Sequence, residues 1–257
     1  MDNVLAKPAD LCCLKGAIHS GEPTGSITQI EGIDTYIART HPERSNGNVI
    51  LFFPDAFGLH INSFLMMDAF AECGYLTLGV DYFLRDPVTK YSARPLSDPK
   101  FDFEAWKTRH LRASEEVAAK WVNGVKAQYG TTDDAKFACV GYCWGARFVC
   151  QQLSAEGICK AGAIAHPSFL KESDIFKVKE PILFSVPATD KLFGPTERNR
   201  TVEILTENGQ QFNMQIFAKV GHGFASRARL TDPYERWAKE QSFKGSFDWF
   251  DFWLAKM

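Results

Sequence analysis

Short, nearly continuous apolar runs alternate along this chain with longer stretches in which apolar positions recur every third or fourth residue. The runs Val49–Phe53, Leu76–Val80, Phe137–Val140, Ala161–Ala165, Ile182–Val186 and Phe212–Phe217 predict strands. Their lack of polar alternation is the pattern of strands covered on both faces, as in a parallel sheet sandwiched by helices. Helices are expected at Asn62–Cys73, Phe103–Tyr129, Ala146–Ala155, Thr196–Asn208 and Tyr234–Lys256. In the third, Ala146, Val149, Cys150 and Leu153 fall on one apolar stripe. Ahead of them Ser26–Ile30, Gly32 and Ile33–Ala38 read as an antiparallel hairpin at a sheet edge. The alternation predicts an α/β fold with a mostly parallel central sheet and helices on both faces, residues 1–257 forming one domain. In such sheets ligands bind at the carboxyl ends of the strands, so chemistry is sought there.

Composition narrows the function classes. The 257 residues are 45% hydrophobic and 13% aromatic, enough for a large core. A net charge of −2 with no basic block argues against nucleic-acid or membrane partners and for a small molecule. The N-terminus lacks a signal-peptide pattern, and no run approaches the roughly 18 apolar residues of a membrane span. Seven cysteines, an odd number, argue against a disulfide framework and for a reducing, cytoplasmic setting. The terminal Ala-Lys-Met loosely resembles a peroxisomal tripeptide. Cys12-Cys13 has no second pair and no histidines at zinc-finger spacing, so no structural zinc or other metal is expected. Cys73, Cys139, Cys150 and Cys159 read as core residues, and His60, His110 and His166 as structural or surface groups.

One constellation carries chemistry. The run Phe137–Val140 leads directly into Gly141-Tyr142-Cys143-Trp144-Gly145, and a helix is expected next. This is the G-x-S-x-G nucleophile elbow with cysteine in place of serine. The tight strand-to-helix turn requires small residues two positions either side of the nucleophile. It presents the sulfur at the sheet edge, with the Trp144 N–H and the helix N-terminus directed at the reacting centre. Asp190 follows the run Ile182–Val186 and His222 follows Phe212–Phe217, giving the order Cys…Asp…His at carboxyl ends of strands. In such a triad the histidine moves the thiol's proton and the aspartate fixes the imidazole tautomer. Structural alternatives are a core cysteine at 143 and a helix-capping aspartate at 190.

These motifs, with Phe53-Pro54-Asp55-Ala56-Phe57-Gly58, Val80-Asp81-Tyr82-Phe83-Leu84-Arg85 and His222-Gly223-Phe224, resemble the dienelactone hydrolase family from about Gly16 to the C-terminus. The stretch from Gly16 through His19-Ser20-Gly21-Glu22-Pro23-Thr24-Gly25 is similar to fungal members. The resemblance implies an α/β-hydrolase without metal or organic cofactor that opens enol-lactones through a thioester. It places Cys143, Asp190 and His222 as the triad, Ala56 and Trp144 N–H as oxyanion donors, and Asp55 against the resting thiol. Arg85 matches an arginine that binds a substrate carboxylate, a role suited to its bidentate fork; a solvated loop arginine paired with Asp86 is the alternative. Arg227, Tyr82 and Phe224 complete the implied substrate contacts. The chain departs from the bacterial pattern at Asp55 (there glutamate), Trp144 (leucine), His166-Pro167 (a tyrosine) and Ser226 (arginine), with Arg227 one position later.

The expectation is a carboxylic ester hydrolase, monomeric or homodimeric, acting on an enol-lactone or activated ester through an acyl-cysteine. Two other readings stay open. One is a tailoring hydrolase for an aromatic or polyketide lactone or C–C bond, prompted by Phe57, Tyr82, Phe83, Trp106, Trp144 and Phe224, which also suit ordinary core packing. The other is a non-enzymatic thiol redox sensor or binding module on a hydrolase fold.

Overall fold

The computed structural model describes residues 2–91, 98, 100–130 and 136–255. An eight-stranded sheet carries the fold. Its strands are β2 (Ser26–Ile30), β3 (Ile33–Ala38), β4 (Val49–Phe53), β5 (Leu76–Val80), β6 (Phe137–Tyr142), β7 (Cys159–Ala165), β9 (Ile182–Pro187) and β10 (Phe212–Phe217). Two short strands, β1 (Val4–Ala6) and β8 (Leu170–Lys171), pair separately. Across the large sheet the order is β10-β9-β7-β6-β4-β5-β3-β2. From β10 to β5 the pairs are parallel, and the β2–β3 hairpin closes the edge antiparallel.

Strand side chains alternate between two cores, as the twofold strand period demands. Val49, Leu51 and Phe53 of β4 enter one core, with Trp121 and Val125 of α2 (Phe103–Tyr129), Phe148 of α3 (Ala146–Gln152) and Ile204 of α5 (Pro195–Glu207). Ile50 and Phe52 enter the other, with Met66 and Phe70 of α1 (Ile61–Glu72) and Phe250 and Leu254 of α7 (Pro233–Ala255). Helices thus cover both faces, and each fully buried side chain such as Phe52 or Phe53 contributes about 1.5–3 kcal/mol. Two short helices, α4 (Glu172–Phe176) and α6 (Phe224–Arg227), complete the fold. No helix among the described residues is long and apolar enough to cross a membrane.

Element ends differ from the sequence pattern where tertiary pairing decides them. β6 runs two residues beyond Val140, because Gly141 and Tyr142 still pair with Ile164 and Ala165 of β7. α3 stops at Gln152, and Lys179 and Glu180 bond the Leu153 carbonyl from outside the helix. Lys256, the expected end of the last helix, and most of the terminal tripeptide lie outside the described residues.

The N-terminal segment positions the site. After β1 the chain makes a 3₁₀ turn at Leu11–Leu14, opened by Asp10, whose Oδ1 accepts from the Leu11 N–H at 2.7 Å. It then runs as a strap, with Ala17 N–H donating to the Arg227 carbonyl, His19 N–H to Asn62 Oδ1 and Thr24 N–H to Asp68 Oδ2. Asn62 Nδ2 returns bonds to the carbonyls of Ala17 and Ser226, tying strap, α1 and α6 together.

Candidate active site

Cys143 stands where β6 gives way to α3, with a backbone φ of +49°. A side-chain-bearing residue in this left-handed region is strained, and such strain collects at functional turns. The turn survives because its neighbour is glycine: a Cβ on Gly145 would collide with the Phe53 carbonyl oxygen. Ser168 N–H donates to the Cys143 carbonyl at 3.1 Å, pinning the elbow to the segment after β7.

Asp190 follows β9. One carboxylate oxygen accepts from Leu192 N–H and the other meets Nδ1 of His222 at 2.9 Å. His222 follows β10, and the chain turns away through Gly223, whose φ of +89° suits glycine. Both oxygens of Asp190 are therefore engaged in orienting the loop and the ring. Burial alone would depress the His222 pKa, but the Cys13 sulfur and the Asp190 carboxylate outweigh it and raise it well above the ordinary histidine value.

The thiol's neighbours were not foreseen. Cys143 Sγ lies 3.4 Å from Cys13 Sγ and 3.6 Å from Ser168 Oγ. Cys13 Sγ in turn lies 3.5 Å from His222 Nε2. The reacting atoms of Cys13, Cys143 and His222 all fall within 4.8 Å of one another. The three thus form a compact triangle in which Cys13 touches both thiol and imidazole, and both sulfurs are fully buried. A hollow of about 360 Å³ reaches this cluster from solvent, lined by Cys12, Asp190, His222, Phe224 and Arg227 among others. Cys143 does not line it; its sulfur touches Cys13 of the Leu11–Leu14 turn instead.

Asp55 accepts from Phe57 N–H at 2.9 Å and Ser226 Oγ at 2.8 Å, and it forms a buried ion pair with Arg227. Its partners are these, while the thiol's contacts are Cys13 and Ser168. Arg227 is wholly buried, stacks over the Phe57 ring and donates from Nε to the Lys15 carbonyl. Burial lowers its pKa to about 10. Ser226 and Arg227 together thus hold Asp55.

Ala56 follows β4 and Trp144 follows the elbow cysteine, so both lie at the same sheet edge. Arg85 is not gathered there. Its exposed guanidinium binds Asp34 bidentately at 2.5 and 2.9 Å, beside a separate hollow lined by Asp34, Asp81 and Lys90. Asp86 pairs with Lys90, Arg109 and His110 instead. Tyr82 is buried with its hydroxyl on the Pro54 carbonyl. Tyr82, Phe83, Trp106 and Trp144 pack against one another in the core, so of the aromatics named from sequence only Phe224 lines the hollow beside His222. His166 is fully buried, its ring centroid 5.0 Å from that of His222, and burial pushes its pKa well below the ordinary value, leaving it neutral.

No local pattern signals Cys13. It sits 130 residues from Cys143 and 209 from His222 along the chain, and only the fold joins them.

A parallel sheet carrying a strained cysteine elbow, with an Asp–His pair on the adjoining strand ends, defines an α/β-hydrolase. A sequence profile of the dienelactone hydrolase family matches residues 33–254, and the chain belongs to that family. It is 70% identical over 256 residues to "Dienlactone hydrolase 2" of Gibberella moniliformis, covering 100% of both chains. It is 69% identical to "Dienlactone hydrolase 1" of the same organism, over 99% of this chain and 98% of that one. Among solved structures, "m3DLH" superposes with a TM-score of 0.68 at 15% identity, over 90% of this chain and 98% of that one, a likeness of fold. The protein is accordingly a hydrolase.

Proposed function

We propose that this hydrolase opens an enol-lactone or an activated ester through an acyl-cysteine on Cys143, with His222 as acid–base and Asp190 orienting it. The observation that carries the reading is the strained Cys143 elbow with the His222–Asp190 pair, bonded at 2.9 Å, beside it. The names of the G. moniliformis relatives support the lactone as substrate class.

The steps follow from the residues. The Cys143 thiol gives its proton to His222 and the thiolate adds to the carbonyl carbon. Backbone N–H groups of Trp144 and Ala56 hold the oxyanion. Collapse expels the enolate, which takes its proton from the His222 imidazolium, and leaves the acyl group on sulfur and the ring neutral. His222 then deprotonates a water, which attacks the thioester; collapse returns the thiolate and releases the acid. Since a thiolate is itself a good leaving group, an ordinary alkoxide would lose the competition during the first collapse. Selectivity for enol esters and lactones follows.

Because Cys143 is buried beneath Cys13, acylation requires the Leu11–Leu14 turn to lift, admitting substrate from the hollow beside Cys12 and His222. That motion also lets His222 reach Cys143 directly.

The test is turnover of cis- and trans-dienelactone, an activated aryl ester and a methyl ester by wild type and Cys143→Ala. The reading expects hydrolysis of lactone and aryl ester, lost in the variant. Activity that survives the substitution, or methyl-ester turnover equal to that of the lactones, would overturn it.

A further inference from the structure

The trio Cys13, Cys143 and His222 has a geometry that hydrolysis does not require. A tetrahedral zinc with bond lengths of about 2.3 Å to sulfur and about 2.0–2.1 Å to nitrogen spaces its ligands about 3.8 Å (S···S) and about 3.6 Å (S···N) apart. Cys13 Sγ lies 3.4 Å from Cys143 Sγ and 3.5 Å from His222 Nε2, so two of the three edges already fit within a few tenths of an ångström. The third, Cys143 to His222, is no longer than 4.8 Å, and it closes by rotation of the Cys143 side chain towards the ring rather than by any movement of the turn.

We propose that Cys13, Cys143 and His222 form a binding site for a thiophilic metal ion of the zinc class, and that the bound ion holds the hydrolase inactive.

The surroundings agree. His222 presents Nε2 to the sulfurs because Asp190 holds Nδ1 at 2.9 Å, the carboxylate–imidazole arrangement that orients metal-binding histidines. Two sulfurs and an imidazole select zinc, cadmium or copper(I) over magnesium or calcium. Binding a divalent ion expels one proton from each thiol and the Nε2 proton of His222 where the ring is charged, and the two thiolates then neutralise the ion's charge, which a buried site requires. Of the three ligands His222 lines the hollow, which gives an ion a route from solvent to the site. Cys12-Cys13 lacks zinc-finger spacing in sequence; its missing partners arrive from β6 and from the loop after β10. Binding itself rests on the donor geometry alone, whereas the inhibitory consequence rests on Cys143 being the nucleophile. An ion here would occupy nucleophile and base together and pin the N-terminal turn over them.

The experiment titrates the reduced, metal-free full chain with Cd²⁺, reading the ultraviolet thiolate-to-metal charge-transfer band. A parallel titration with Zn²⁺ reads hydrolysis of the activated aryl ester. The expected results are one ion per chain, inhibition that tracks occupancy, and full recovery with a chelator. Cys13→Ser and Cys13→Ala should weaken binding by more than about 10-fold, while Cys12→Ala keeps the band. Should both Cys13 variants unfold, the wild type decides: zinc must shield Cys13 and Cys143, but not Cys12, from iodoacetamide in peptide mapping. No band, a band undiminished without Cys13, or a band lost with Cys12 alone would overturn the site. A full band with no hydrolysis of any ester leaves the metal site standing and removes the hydrolytic reading; hydrolysis without a band does the reverse.

Discussion

Cys13 Sγ stands 3.5 Å from His222 Nε2, in the position a catalytic imidazole ordinarily offers to its nucleophile. Cys143 Sγ lies 3.4 Å from the same sulfur, to one side of the imidazole. The N-terminal turn therefore lies against the proposed nucleophile and base, and on that proposal the order in which the thiols react measures how often it lifts.

Iodoacetamide should label half-buried Cys12 well before Cys143, which has no exposed surface. Asp10→Ala removes the acceptor that opens the turn, an interaction worth about 1 kcal/mol. Labelling of Cys143, followed by peptide mass spectrometry, should then rise about 5-fold. An unchanged rate would mean that the turn does not gate the thiol.

Asp190→Asn removes the carboxylate that orients His222 and should lower kcat by about 10²–10⁴-fold with the fold intact, measured on the activated aryl ester. It should also change the pH dependence of stability. The His222 pKa is raised in the folded protein, with Cys13 and Asp190 overcoming the opposing effect of burial. A raised pKa contributes stability that is fully present below the unfolded value of about 6.5 and is lost as pH rises through the folded value. The melting temperature of wild type relative to Asp190→Asn should therefore be higher at pH 6 than at pH 9. An advantage that grows with pH would contradict the assignment.

The buried Asp55–Arg227 pair makes a different demand. Arg227→Met leaves the Asp55 charge buried with only Ser226 and the Phe57 amide, and should cost about 3–5 kcal/mol in urea unfolding. Adding Asp55→Asn should recover part of that loss. Equal destabilisation by single and double variants would show that packing over Phe57 and the bond to Lys15, not the charge, is what Arg227 supplies.

Gly145→Ala probes the elbow. The added methyl has no room beside the Phe53 carbonyl, so the turn must open. Loss of ester hydrolysis with a lowered melting temperature is expected; a fully active variant would mean the elbow tolerates what its geometry forbids.

The sequence was informative where physics is local. β4, β5, β10, the β2–β3 hairpin and α2 lie where apolar periodicity and turn residues place them, because buried strands and one-sided helices leave that signature. The placement of Cys143, Asp190 and His222 at one sheet edge was legible for a related reason: each follows a strand at its carboxyl end. The β1–β8 pair was not legible, since three and two residues are too few to show a period. Nor was Cys13, whose meaning depends on a loop crossing the sheet edge. Arg85 stands out through the family resemblance, but sequence could not reveal that Asp34 on the neighbouring strand binds it. The aromatics around Trp144 looked alike in sequence, and only their mutual packing separates core residues from Phe224 at the hollow.

The central claim, an acyl-cysteine on Cys143, is tested most directly by mixing enzyme with excess activated aryl ester, quenching in acid within the first turnovers and mapping the adduct by mass spectrometry. The account expects one acyl group on the peptide carrying Cys143, none in Cys143→Ala, and decay of the adduct at the rate of turnover. An adduct confined to Cys13, or turnover with no acylated cysteine, would contradict it.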